Sequence, residues 1–335
     1  MLKKIAALVG MVVGMSCTSM AIGGQIKPIM PPSDDLPQVV VDLAVVYTQT
    51  AHNTVFDEFS VDALPDWIAF NVEILNESLH YSNTNTRVRL VGMEKIRFND
   101  SDLPVDGGNE TALHNITSPD DGVMDEVHEI RDRLKADIVG LIISNHCCGI
   151  AHLAVLADQV HPELAFFVVD IGTHIWHRSF FEPNFGNNIA TFVHEIGHVF
   201  GLLHDRSSKI VAGQPGVEAS ITYVPPYAFG YEYCDDKIMS RTRMAGGWRD
   251  PLVACDPWIN ADYDSKEFID CSEVWPNHSF ISDGMVMRYL FSNPDITCEG
   301  IPIGVPGDKY TDDPNGPADN ARVIREHAPI IANFR

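Results

Sequence analysis

The pattern of hydrophobic and polar positions predicts strands in the first half of the chain. VVVDLAVVY (39–47) and DIVGLIIS (137–144) are short runs rich in β-branched and other apolar residues, which is typical of buried strands. TRVRLVGM (86–93) alternates polar and apolar residues, as a strand with one solvated side does. GIAHLAVL (149–156) and LAFFVVDI (164–171) are two further strand candidates.

Helices are predicted where apolar residues recur every three or four positions. Two such repeats predict amphipathic helices, the first over Asp66 to His80; their apolar positions are Ile68, Val72, Leu75 and Leu79, and then Met124, Val127, Ile130 and Leu134. NNIATFVHEIGHVF (187–200) is apolar around nearly its whole circumference, which predicts a buried helix. A last helix is predicted near the C-terminus, where we expect Pro329 to disturb it.

The order of these elements predicts an α/β (α+β) fold, with a twisted mixed sheet and helices packed on it. Beyond Asp205 the chain is rich in Pro, Gly, Asp and Cys, and it has few periodic runs until the last helix. Residues 241–284 predict an irregular, disulfide-pinned stretch. No internal repeat or low-complexity tract is found.

The N-terminus has the pattern of a secretory signal peptide. Two lysines precede an apolar run from Ile5 to Met15, and small residues then predict cleavage after Ala21. Residues 22–38 follow as a Pro-rich lead segment. A membrane anchor is the first alternative, although the apolar run is short for a bilayer. A lipoprotein signal around Cys17 is the second. We expect export to the periplasm or the extracellular space.

Charge and cysteine content agree with an exported protein. The formal net charge of −23 disfavours nucleic acid and anionic membranes as partners, and we expect a soluble monomer. Six cysteines remain after removal of the leader, namely Cys147, Cys148, Cys234, Cys255, Cys271 and Cys298. They allow up to three disulfides in 15 connectivities. Buried free thiols are the alternative.

The stretch VHEIGHVFGLLHD (193–205) has the spacing of a metal site. His194 and His198 are four positions apart, so both lie on one face of a helix. Zinc would satisfy two buried imidazoles, and His204 would return after a turn as the third ligand. Three protein ligands leave a fourth position for water, which is typical of a catalytic site. The alternative is three satisfied core histidines without a metal.

Three neighbouring residues complete this pattern. Glu195 is one position off the ligand face, where its carboxylate can act as a general base. Gly201 is expected to end the helix in the left-handed conformation. Asp205 is expected to anchor the turn after His204 by hydrogen bonds, and a plain surface acid is its alternative.

HEIGHVFGLLHD (194–205) resembles the zinc signature of the metzincin metalloendopeptidases, and Asp205 resembles their reprolysin-like (adamalysin-type) branch. GYEYCDDKIMS (230–240) is similar to the methionine turn of that family, which points to Met239, with Met285 and Met287 as weaker candidates. Most of the chain from Val39 onward is similar to secreted bacterial members, including the peptidyl-Asp metallopeptidase type.

The resemblance implies a zincin-like catalytic domain over 39–335, with subdomains 39–201 and 202–335 and an insertion at 241–284. It implies a zinc-dependent endopeptidase that hydrolyses internal peptide bonds through a zinc-bound water, with Glu195 as general base. Its substrate would be an extended protein or peptide lying along CGIAHLA (148–154). Met239 would pack beneath the histidines.

Two departures from the family and two rival functions bear on this prediction. Arg241 stands where some members have a tyrosine ligand, and no long pro-segment with an inhibitory cysteine precedes Val39. The rivals are a catalytically inactive binding protein of the same fold and a zinc hydrolase of a non-peptide amide or ester. Retention of Glu195 argues against the first rival.

Other polar residues are weaker ligand candidates. His146, His152, His174 and His177 are expected to be loop or rim histidines rather than ligands. DKYTDDPNGPADN (308–320) is rich in oxygen ligands, so a calcium ion is an alternative to a solvated turn there.

Overall fold

A computed structural model describes most of the predicted catalytic domain. The described residues are 38–59, 62–144, 149–171, 186–206, 223–234, 238–244, 267–268, 290–298, 300–311, 313 and 315–335. The predicted signal peptide and lead segment, up to residue 37, lie outside them, as does most of the predicted insertion.

Five strands form one mixed sheet in the order β2-β1-β3-β5-β4. They are β1 (Val39–Tyr47), β2 (Thr86–Lys95), β3 (Ile138–Ile143), β4 (Gly149–Ala151) and β5 (Phe166–Asp170). Neighbouring strands run parallel except that β4 is antiparallel to β5. All five predicted strands are present, and the mixed α/β fold is confirmed. Strand β4 is shorter than its predicted span of 149–156.

Six helices are described: α1 (Gln49–Phe59), α2 (Leu64–Tyr81), α3 (Gly108–Thr117), α4 (Glu126–Leu134), α5 (Gly186–Val199) and α6 (Asn320–Ile331). The sequence did not predict α1 and α3. Both contain few apolar residues, so neither shows a clear helical repeat. Helix α6 continues two residues past Pro329, although we expected a disturbance there.

The sheet is covered on both faces, and β1 shows this best. Its Leu43 and Val45 belong to one core cluster with residues of α1, α2, α5 and α6. The alternate residues Ala44 and Val46 belong to a second cluster with residues of α3 and α4. All four are fully buried. Because successive side chains of a strand point to opposite faces, a strand between two layers of helices is apolar throughout.

The later chain contains short strands. Strands β6 (Glu232–Cys234), β7 (Ile238–Arg241) and β8 (Glu267–Phe268) form a three-stranded sheet, and β9 (Asn293–Cys298) pairs with β10 (Ile301–Ile303). Cys298 takes part in a disulfide bond. The expectation of up to three disulfides stays a prediction, and their connectivity stays open. None of the helices in the described residues is both long and apolar enough to cross a membrane.

Candidate metal centre and active site

Helix α5 is fixed in the core by the residues between its polar positions. Phe192, Val193, Ile196 and Val199 are fully buried. The ring of Phe192 packs edge-on against Trp67 of α2 and Phe167 of β5, with centroid distances of 6.1 and 5.4 Å. The helix therefore has packing partners on α2 and on the sheet, which hold its polar side chains in place.

Helix α5 ends at Val199, and Gly201 follows it in the left-handed conformation that the sequence suggested. Gly201 has a φ of +89°, in the left-handed region that glycine adopts without strain. The N–H of Gly201 donates to the carbonyl of His198, and the N–H of Leu202 donates to that of Gly197. This turn brings His204 back towards the helix.

The three histidines converge through their Nε2 atoms. The Nε2 of His194 lies 2.9 Å from that of His204 and 3.0 Å from that of His198, and the third distance is 3.2 Å. Nitrogens bound at 2.0–2.1 Å to a tetrahedral zinc ion would lie about 3.3 Å apart. Within the described part of the chain, this is the one group of three or more His, Cys, Asp or Glu side chains that could hold a metal ion.

The opposite ring nitrogens show which tautomer is present. The Nδ1 of His194 lies 3.1 Å from the carbonyl oxygen of Arg243, and the Nδ1 of His198 lies 2.8 Å from that of Leu202. A carbonyl only accepts, so each Nδ1 donates a hydrogen, and each Nε2 then bears a lone pair. Two lone pairs facing each other at 3.0 Å repel unless a cation lies between them. The arrangement therefore fits a metal ion.

Electrostatics also favour a neutral imidazole at His194. Burial, and then the neighbouring His204, lower the pKa of His194 to about 3. The ring therefore stays neutral at physiological pH, which is the form that binds a metal.

The side chain of Glu195 is buried between its own helix, α5, and strand β4 at the edge of the sheet. It is 5% exposed, and burial raises the pKa of its carboxyl to about 8. A cation held by the three imidazoles would favour the carboxylate and lower this pKa. The Glu195 side chain adjoins Gly149, the first residue of β4. An acidic group thus lies next to the metal-binding histidines and next to an edge strand.

Asp205 and Arg206 follow the third histidine and are both buried, at 3% and 5% exposure. The Arg206 guanidinium donates to the carbonyls of Pro317, Thr311 and Pro226. It also lies over the ring of Phe229, 4.0 Å from its centroid. The segment with the third ligand is therefore joined to a part of the chain about 110 positions later. The alternative of a plain surface acid does not describe the buried Asp205.

A methionine that the sequence analysis missed lies against the helix. Met244 is fully buried, and a Cβ built on Gly197 of α5 would overlap its Sδ. Met239 lies in β7, opposite Cys234, and its side chain is outside the described residues, so its role stays a prediction. No short-range pattern in the sequence points to Met244, because its contact is with Gly197, far earlier in the chain.

Among the remaining ligand candidates, His152 is the histidine that the structure describes, and it does not join the triad. His152 is described and half-buried, and burial followed by the nearby His114 lowers its pKa. His146, His174 and His177 lie outside the described residues. In the calcium candidate segment, Asp308 pairs with Arg322 at 2.5 Å. The described residues of that segment bring no three acidic groups together, and the calcium ion stays an expectation.

Three imidazoles that could hold one metal ion, with a buried carboxylate beside them, are the arrangement expected in a metal-dependent hydrolase. The chain belongs to metallo-peptidase family M12, whose model matches residues 38–244. That stretch contains the three histidines, Glu195 and Met244. The family implies zinc as the metal, and the histidine triad is compatible with it.

Curated relatives support this assignment at low identity. The chain is 26% identical over 263 residues to a protein named Peptidyl-Asp metalloendopeptidase of Stenotrophomonas maltophilia (strain R551-3), with 78% of this chain and 45% of the relative covered. A protein of the same name from Xanthomonas campestris pv. campestris is 23% identical over 256 residues, with 76% and 44% covered. The chain thus spans less than half the length of these relatives.

One solved structure supports the fold alone. It is described as "Structure of a chaperone-substrate complex" and superposes with a TM-score of 0.51 at 16% identity. The match covers 90% of this chain and 35% of that one.

Proposed function

We propose that the protein is an exported, zinc-dependent endopeptidase that hydrolyses internal peptide bonds. The convergence of the His194, His198 and His204 Nε2 atoms beside a buried Glu195 supports the proposal most strongly. Membership of family M12 and the names of the curated relatives agree with it. The N-terminal lysines and the apolar run after them are the basis for proposing export.

The three histidines would hold the zinc ion, and each would do so as a neutral imidazole. Bound zinc supplies a Lewis acid that lowers the pKa of water and polarises a carbonyl. His194 and His198 are oriented by Nδ1 hydrogen bonds to the carbonyls of Arg243 and Leu202. Such bonds fix the ring orientation and raise the basicity of the ligating nitrogen.

Glu195 would manage the protons of the reaction. It would accept a proton from the attacking water and deliver it to the leaving amine of the cleaved bond. Its burial matters here because a charge in a low-dielectric site interacts more strongly with its neighbours than one in water. The packing of α5 holds the carboxylate on the side of the helix that faces β4.

Strand β4 would bind the substrate backbone. It is the last strand of the five-stranded sheet, so one of its backbone edges faces away from the sheet. An extended peptide can add to such an edge through main-chain hydrogen bonds, which hold any sequence. Because Glu195 adjoins Gly149 of this strand, a peptide there would pass the proposed base.

Cleavage of an unstructured peptide library, read by mass spectrometry, tests the proposal. We expect the zinc-loaded parent to cut internal bonds and zinc-loaded Glu195→Gln to lose nearly all activity. The cut sites would also show whether the bonds lie beside aspartate, as the names of the relatives suggest for those proteins. If both proteins hold zinc and neither cuts the peptides, the endopeptidase proposal is wrong, and the binding-protein rival gains support. A matched panel of esters and non-peptide amides tests the other rival.

A further inference from the structure

Gly149 lies closer to Glu195 than a residue with a side chain could. A Cβ built on Gly149 would lie 2.6 Å from the Cγ of Glu195 and 2.7 Å from its Oε1. It would also lie 2.7 Å from the Cγ2 of Thr191, which is one turn before Glu195 on α5. Real Cβ atoms essentially never approach other heavy atoms within 3.0 Å. The space beside Gly149 is therefore filled by the helix.

The backbone conformation does not explain the glycine at this position. Gly149 lies in a strand and pairs with Val169 of β5, and it does not have a positive φ. Gly201 differs, because its φ of +89° itself favours glycine. At Gly149 the requirement is one of space, and the atoms that need the space belong to Glu195 and Thr191.

Strand pairing and core packing oppose a large shift of either backbone. Strand β4 is paired with β5, and α5 is held by buried Phe192, Val193 and Ile196. Among the groups around Gly149, the Glu195 side chain has the most rotatable bonds. A methyl group at residue 149 would therefore be accommodated chiefly by a displaced Glu195 carboxylate.

We propose that Gly149 is a positioning residue for Glu195, and that the missing side chain keeps the carboxylate beside the metal-binding histidines. This inference rests on the proposed function, because it assigns a catalytic consequence to that carboxylate. A base displaced by about 1 Å can lower a rate by roughly a hundredfold. None of the three atoms nearest a Cβ built on Gly149 belongs to a histidine, so we expect zinc binding to be kept when this residue is changed.

The test compares parent, Gly149→Ala and a matched control, Gly92→Ala, each loaded with zinc. Gly92 lies in β2 of the same sheet and does not have a positive φ, and a Cβ built on it would overlap the side chain of Leu134 instead. It therefore controls for a methyl group crowded into a strand away from Glu195. We expect Gly149→Ala to lower kcat about a hundredfold with little change in KM or zinc content. The control should keep the parent's kcat.

A second variant separates a displaced carboxylate from general damage. Thr191→Ser removes the Cγ2 methyl group that lies beside Gly149 but keeps the hydroxyl. In Gly149→Ala/Thr191→Ser the new methyl group can move towards residue 191, so we expect kcat to recover in part. A crystal structure of zinc-loaded Gly149→Ala gives a readout that needs no activity. It should show the Glu195 carboxylate displaced from its place in the parent.

The outcomes distinguish this inference from the proposed function. If the parent cleaves peptides and Gly149→Ala has the same kcat, the inference is wrong and the proposed function stands. The inference is also wrong if Gly149→Ala loses its zinc or its fold, since the role is then structural. If the parent cleaves nothing, the proposed function fails, and the crystal structure decides the inference: an unmoved carboxylate overturns it.

Discussion

The stretch 186–206, which contains the histidine triad, and the C-terminal stretch 290–335 differ in how they contribute to the candidate site. The three candidate ligands are local in sequence: His194 and His204 are only 10 positions apart. The C-terminal stretch has no ligand among its described residues, yet it bonds to the segment that holds them. His327 of α6 bonds through Nδ1 to the carbonyl of Phe200, 127 positions away, at 2.7 Å. The carbonyl of Pro317 accepts from Arg206.

The difference shows that the histidine triad and the contacts that hold it depend on different parts of the sequence. A short motif places three imidazoles and a carboxylate on one helix and the turn after it. The exact placement of that turn also depends on packing and hydrogen bonds from the end of the chain. The match to the family ends at residue 244, so this C-terminal support lies outside it. Loss of a histidine of the triad should therefore weaken metal binding most, whereas loss of a contact that joins the two stretches should weaken it less or lower stability.

The largest effect is expected from removing a ligand. His198→Ala should weaken zinc binding by about two to three orders of magnitude, because one of three protein ligands is lost. Activity should fall to background with it. Zinc affinity can be measured by competition with a coloured chelator. His161→Ala is the control, since His161 lies on the surface beside Glu163. This variant should bind zinc with the same affinity as the parent. If His198→Ala bound zinc as tightly as the parent does, the proposed ligand set would be contradicted.

The next largest effect is expected at Arg206. Arg206→Met leaves three carbonyls without their donor. A buried carbonyl without a donor costs about 1 to 3 kcal/mol, but two of these three bonds are only partly buried, so the free energy of unfolding should fall by about 3 to 5 kcal/mol. Zinc affinity should fall about tenfold because His204 is less well held. Urea unfolding measures the first quantity.

Arg322→Met is the matched control for Arg206→Met. Arg322 also lies over an aromatic ring, at 3.9 Å from the centroid of Tyr227, but its side chain is 38% exposed and pairs with Asp308 and Glu326. Arg322→Met should lower the free energy of unfolding by less than about 1 kcal/mol. Similar losses in the two variants would mean that the support by Arg206 is not special.

A smaller effect is expected where the helix meets Met244. Alanine usually stabilises a helix interior relative to glycine by about 1 kcal/mol. Gly197→Ala should instead destabilise the protein by about 1 to 3 kcal/mol, because the new methyl overlaps Met244. Combining it with Met244→Ala should cost less than the sum of the two single changes. Thermal or urea unfolding of the four proteins measures this coupling, and strict additivity would show that the two residues do not meet.

The smallest effect is a pH dependence at His327. Burial lowers the pKa of His327 below its ordinary value of 6.5, so the native state keeps the ring neutral. As pH falls below about 6.5, the unfolded chain gains this proton first, and the free energy of unfolding decreases until pH passes the folded pKa.

His327→Asn keeps a donor near the Phe200 carbonyl but has no group that titrates. Its free energy of unfolding should fall less steeply than the parent's between pH 7.5 and 5, measured by urea unfolding. Zinc loss in acid is common to both proteins, so the difference between them reports His327. Parallel curves would contradict a buried neutral His327.

The sequence predicted the elements whose apolar pattern is strong. All five sheet strands and the helix of the histidines follow from it, whereas α1 and α3 have too few apolar residues to show a repeat. The ligands and Glu195 could be predicted because they lie within one short motif.

Met244, Arg206 and His327 could not be predicted, because their roles depend on contacts between residues far apart in the chain. A repeat or a motif reports only on neighbours in sequence. The 49 positions between His194 and the carbonyl of Arg243 show the same limit. The same limit applies to Gly149, because the need for a glycine at this position comes from helix α5, which follows more than thirty positions later.

The most direct test of the whole account is zinc X-ray absorption spectroscopy of the purified protein, together with its metal content. The account predicts one zinc ion per chain, bound by three imidazole nitrogens at about 2.0 to 2.1 Å and one oxygen. Sulfur neighbours at about 2.3 Å would place the metal on cysteines instead. That result, or a protein that retains no zinc, would contradict the assignment of His194, His198 and His204 as the metal centre.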